Sequence, residues 1–122
     1  EALIAGFIDD AVRDLTGNVA EKIKLKNPDG TPHSDISDTD ALWEMLMSYS
    51  EGNTLMGCSL AAEQGGGVER EAEYEGKKCG IIAGHAYGVL DAFEIHNPHS
   101  SKERKTTRLL RVRNPWGKKE WN

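Results

Sequence analysis

Cysteine is scarce in this chain: its 122 residues include two, Cys58 and Cys79. Two thiols cannot build the disulfide framework of a small secreted domain, so a reducing, cytoplasmic setting is the default expectation. Long apolar runs are missing as well. No stretch approaches the ~20 residues that a membrane-spanning helix needs, and no signal peptide opens the chain. The first residue is Glu1 rather than Met, as in a piece excised from a longer protein. Strong charge of either sign is also lacking. A net charge of −5 gives no basis for nucleic acid or anionic lipid as the main partner. There is no internal repeat and no domain boundary, so residues 1–122 read as a single domain.

What remains is 38% hydrophobic, enough for a modest core. About two-thirds of the unfolded surface can be buried at this size, so stability is expected to depend partly on any neighbour the domain packs against. The charge is uneven. Residues 100–122 carry eight basic side chains against Glu103 and Glu120, a balance of +6 that leaves −11 for the first 99 residues. Such a basic segment is either a binding patch or the solvated face of a β-hairpin, the plainer reading.

Residues 1–27 read as extended, because caps for a helix are poor, with a turn at Asp14–Val19 around Gly17-Asn18. Ile23 and Leu25 alternate with lysines, as in a half-exposed strand. Asn27-Pro28-Asp29-Gly30 is a turn signal. A helix is expected next, capped by Asp38 or Thr39, with Leu42, Trp43, Leu46 and Tyr49 on one face and Gly52-Asn53 as its stop. Met45 and Met47 read as packing residues. Thr54–Leu60 reads as a short buried strand. Residues 61–76, with Gly65-Gly66-Gly67 and five glutamates, read as a long mobile loop, either functional or a tolerated insertion. Cys79–Ile95 is the most strand-like stretch, and Thr106–Asn114 is its antiparallel return.

Four histidines are the natural candidates for chemistry near neutral pH. His33 lies in a polar loop. His96 and His99 are separated by Pro98 and lack a cysteine or carboxylate set, so zinc is not expected there. His85 differs, sitting between Gly84 and Ala86 where small neighbours leave room for approach. A second feature is Arg113-Asn114-Pro115-Trp116-Gly117. Pro115 biases Asn114 toward an extended backbone. Alternation puts Asn114 on the inward face with Leu110 and Val112, while Arg111 and Arg113 face water. An inward amide needs a partner, since an unpaired one costs on the order of 1–3 kcal/mol, and an imidazole nitrogen suits it. A neutral asparagine can orient an imidazole and fix its tautomer, and the imidazole can then take a proton from a thiol.

Gly84-His85-Ala86-Tyr87, then Arg113-Asn114-Pro115-Trp116-Gly117 and Glu120-Trp121, resembles the catalytic histidine and asparagine motifs of the calpains. Glu1-Ala2-Leu3, Asp14-Leu15-Thr16-Gly17 and Leu55-Met56-Gly57-Cys58-Ser59 also resemble segments of the second half of the calpain protease core, so the likeness covers nearly the whole chain, in order. Two positions depart from the pattern: Asn18 replaces a second glycine, and Gly88 stands where serine is common.

The resemblance implies that His85 is the general base and acid, that Asn114 orients it, and that Trp116 shields their hydrogen bond. The loop 61–78 would flank and gate the substrate cleft. Calcium regulation is implied for the parent protein. Glu120 would be one oxygen ligand of a site whose other ligands lie beyond Asn122, since calcium wants six to eight oxygens. The cysteine nucleophile, and a glutamine for the oxyanion hole, would come from the preceding half. Cys58 and Cys79 lie at no helix start, where a reactive thiol is commonly activated, and read as packing residues.

The expected fold is α+β: an antiparallel β-barrel-like sheet with a flanking helix, the histidine-bearing half of a papain-like cysteine proteinase fold. The expected function is that of part of a calcium-regulated cysteine endopeptidase of the cytoplasm or cytoskeleton. Its partners would be the cysteine-bearing half and protein substrates, and this chain alone would be inactive. The alternative is a calpain-like scaffold with an incomplete triad. The parent residue preceding Glu1 at the cysteine position would separate the two. A third reading is an interaction domain that uses the basic terminal strand.

Overall fold

Charge and one glycine make the first helix. In the computed structural model, which describes residues 6–27, 29–36, 38–61, 69–98 and 106–117, α1 spans Ile8–Thr16. The poor cap noted in the sequence is real, because Phe7 at the N-cap gives no side-chain hydrogen bond. The helix forms nonetheless, correcting the extended reading of this segment. Asp9 and Asp10 sit at its positive end and Arg13 in its last turn, as the helix dipole favours. Gly17 then adopts φ 70° and donates its N–H to the Arg13 carbonyl at 2.8 Å, a left-handed stop.

The strand expected around Ile23 and Leu25 is not formed. Only Lys26 makes a bridge, to Pro32, across the turn that Asn27 and Gly30 close with a 2.9 Å backbone hydrogen bond. Pro28 of that turn lies outside the described residues. The second helix, α2, spans Thr39–Glu51 as its spacing foretold. Asp38 caps it, accepting from the N–H groups of Asp40 at 2.7 Å and Ala41 at 3.3 Å. Gly52 and Asn53 end it.

The strands are β1 (Met56–Ser59), β2 (Arg70–Tyr74), β3 (Lys77–Ala83), β4 (Ala86–His96) and β5 (Thr106–Arg113). They form two antiparallel sheets, one ordered β1-β4-β5 and one the β2–β3 hairpin. No closed barrel forms among the described residues, which corrects the barrel-like expectation to two open sheets with two helices. The antiparallel return of β4 into β5 is as read, with a bulge between Val89 and Asp91. The loop assigned to 61–76 is in part a hairpin, since β2 starts at Arg70. Residues 62–68 lie outside the described set.

The long strand read over Cys79–Ile95 is broken at Gly84. That residue adopts φ 76° and turns its N–H to the Leu60 carbonyl at 2.8 Å. The break ends β3 and starts β4, and His85 sits in the gap.

Helix α2 lies against β4. Ser50 donates its hydroxyl to Asp91 at 2.7 Å and accepts from the Ala92 N–H at 3.1 Å. Arg108 of β5 pairs with Asp40 of α2 at 2.6 Å and stacks over the Trp43 ring. Trp43, Ala83, Val89 and Ala92 make the buried apolar core among the described residues. Leu110 and Val112, expected to face inward with Asn114, remain exposed. Cys58 on β1 is half-buried, so the Thr54–Leu60 segment is only partly the buried strand expected.

Candidate active site

His85 is the one buried polar side chain among the described residues, at 7% exposure. A buried imidazole needs partners for both ring nitrogens, and the fold supplies them from two directions. Its Nε2 lies 2.8 Å from the Asn114 Oδ1. Its Nδ1 lies 2.8 Å from the Glu69 Oε1.

The first contact fixes a proton. Asn114 Oδ1 also accepts the backbone N–H of Trp116 at 3.1 Å. A backbone N–H can only donate, so the amide atom between the two is the oxygen, and the imidazole must supply the hydrogen. Nε2 therefore carries the proton. Nδ1 is left as the nitrogen able to accept one from elsewhere.

Local sequence explains why these groups meet. The Gly84 break points His85 across β4 toward the end of β5. Asn114 is the first residue after β5, and Pro115 holds its backbone out of the helical region while a turn brings Trp116 back. The Trp116 ring then lies 4.5 Å from the imidazole, centroid to centroid, tilted by 49°. The indole thus packs against the imidazole, while the Trp116 backbone holds the Asn114 oxygen. Tyr87 meets the imidazole edge-on at 5.1 Å, and its hydroxyl accepts the Ile82 N–H at 2.9 Å. That bond ties β4 back to β3 across the break.

The structure thus brings His85, Asn114 and Trp116 together as their motifs suggested. Glu120 lies outside the described residues. Among the described residues no three His, Cys, Asp or Glu side chains come together as a metal site. His96 stays on β4 beside Thr106, while His99 falls outside the described residues.

Glu69 was missed from the sequence. It is one of several acids in residues 63–75 and nothing in composition singles it out. Its signal was the hairpin register: Arg70 pairs with Ala83, which sets the preceding residue beside the Gly84–His85 break.

Neither cysteine has a nucleophile's surroundings. Burial pushes the Cys58 thiol above its ordinary range, the opposite of activation. Cys79 gives its thiol to the Ala72 carbonyl at 3.3 Å. A cavity of about 300 Å³ lies elsewhere, between Ile23, Asp35, Leu42 and Met45.

Comparison with known proteins assigns the chain. The family model for calpain family cysteine protease matches residues 1–122. This chain belongs to the calpain family. It is 35% identical to Calpain clp-1 of Caenorhabditis elegans across its whole length, which is 13% of that protein. Against Calpain-5 of Mus musculus it is 31% identical over 99% of the chain and 18% of the relative. Calpain-type cysteine protease DEK1 of Zea mays is 29% identical, and the chain spans 5% of its length. This calpain chain therefore corresponds to a small part of each relative. No helix among the described residues is long and apolar enough to cross a membrane.

Proposed function

We propose that this chain is the histidine-bearing half of a calpain-type cysteine endopeptidase, with a papain-like arrangement in which a second half presents the thiol. The observation that carries the reading is the 2.8 Å contact between His85 Nε2 and an Asn114 oxygen whose identity the Trp116 N–H fixes. In that state Nε2–H is committed to the amide, and Nδ1 is the nitrogen to take the thiol proton. The imidazolium then returns that proton to the leaving amine of the substrate. Asn114 holds the ring at one tautomer and one angle. Trp116 keeps water from competing for the Asn114 oxygen.

Protein substrates, a cysteine-bearing partner half and a cytoplasmic setting belong to the same proposal. The exposed Leu110 and Val112, beside Asn114 on β5, suit a surface that another part of the protein covers. Calcium regulation is proposed for the whole protein only. No step is routed through the ion.

The test uses the cysteine-bearing protein. His85→Ala should lower kcat on an unfolded protein substrate by ~10⁴-fold or more. Asn114→Ala should lower it by about 10²-fold, with KM little changed, because orientation rather than binding is lost. The present chain alone should show no thiol-dependent cleavage. Full activity in the His85→Ala protein would end this reading.

A further inference from the structure

The carboxylate against His85 Nδ1 has no place in the reaction just described. Asn114 commits Nε2–H, so Nδ1 is the one nitrogen a thiol could use, and Glu69 sits on it at 2.8 Å. An ionised carboxylate offers only lone pairs. The contact therefore contains a proton, and the Nδ1 lone pair that a thiol needs is already engaged. A thiolate approaching the same nitrogen would meet a like charge.

We propose that Glu69 is a self-inhibitory counter-ion, occupying the seat of the nucleophile until the thiol displaces it. The proposal rests on the protease reading of His85 and deepens it. Geometry makes the arrangement reversible. The imidazole is 7% exposed and held on three further sides by Asn114, Trp116 and Tyr87. Glu69 is 42% exposed and precedes the first residue of β2, so its side chain can swing into water without moving the ring. Nδ1 keeps one partner at a time: the carboxylate in the resting state, the thiol in the working one. No other charged side chain is recorded against His85 among the described residues.

The test reads the Nδ1 lone pair directly on the full 122-residue chain. Diethyl pyrocarbonate acylates an unprotonated imidazole nitrogen, and peptide mapping by mass spectrometry assigns the rate to each histidine. Glu69→Ala should speed modification of His85 by about fivefold, the factor expected when a hydrogen bond of ~1 kcal/mol that occupies Nδ1 is removed. His33 and His96 should keep their rates, as internal controls of the fold. Glu69→Gln keeps the shape of the side chain and removes its charge, so it should give a smaller rise in the same direction even if the alanine variant folds poorly. An unchanged His85 rate in the glutamine variant, or in a folded alanine variant, overturns the proposal. The outcome is independent of proteolysis. If His85→Ala left cleavage intact, the catalytic role would fail while the competition for Nδ1 would still be read from these rates.

Discussion

The indole N–H of Trp43 is buried and meets no acceptor among the described residues, although the ring is the largest member of the core and lies under the Arg108 guanidinium at 5.5 Å. An unmet buried donor costs roughly 1–3 kcal/mol, while the ring's apolar burial favours folding. The two effects separate on substitution. Trp43→Phe should be neutral or stabilise by up to ~1 kcal/mol, and Trp43→Ala should destabilise by ~3–5 kcal/mol, both measured by urea denaturation. Equal losses for the two would mean that the N–H has an acceptor after all. Half of the site was legible from its motifs, a histidine beside glycine and Asn114-Pro115-Trp116, although the face that Asn114 was expected to share with Leu110 and Val112 is exposed rather than inward. Glu69 was not legible, because its position depends on hairpin register and not on its neighbours in sequence.

Among the elements, α2 was readable because its cap, apolar spacing and glycine stop agree with one another. Helix α1 was not, since its N-cap is absent and its stability comes from end charges, the Gly17 stop and contact with the sheet. That contact is tight. A Cβ at Gly57 of β1 would come within 2.8 Å of the Ile8 Cγ2 and 3.3 Å of the Tyr87 carbonyl. Gly57→Ala should therefore push α1 off β1 and destabilise by about 1–3 kcal/mol. At Gly88, on β4, the space is open within 4 Å, so Gly88→Ser should fold at least as stably as the parent chain, since glycine is a poor strand former. Thermal denaturation of the pair checks both signs, and a loss at Gly88 larger than at Gly57 would contradict this packing. The break of the long strand at Gly84 was hidden for a related reason. Glycine permits a left-handed turn without requiring it, and the Leu60 carbonyl that fixes the turn is remote in sequence.

For the molecule as a whole, the apolar core is small: Trp43, Ala83, Val89 and Ala92 are the buried hydrophobic side chains among the described residues. Leu90, Ile95, Leu110 and Val112 are among the apolar side chains left uncovered, which suits one half of a larger core. Stability should be modest and sensitive to pH at the alkaline end. Burial raises the Cys58 thiol above its ordinary value of 9.0, so the folded chain keeps that proton to higher pH than the unfolded chain. The contribution is intact below about pH 9 and is lost as pH rises through the folded-state value. Cys58→Ala should flatten that alkaline fall in urea midpoint, and an unchanged slope would place its cause elsewhere.

The most direct test of the central geometry is long-range ¹H–¹⁵N correlation of the His85 ring, which shows which nitrogen carries hydrogen and whether that hydrogen is protected. A slowly exchanging proton on Nε2, lost to rapid exchange in Asn114→Ala, is the predicted result. A ring protonated on Nδ1 alone, or an Nε2 proton indifferent to Asn114, would contradict the account.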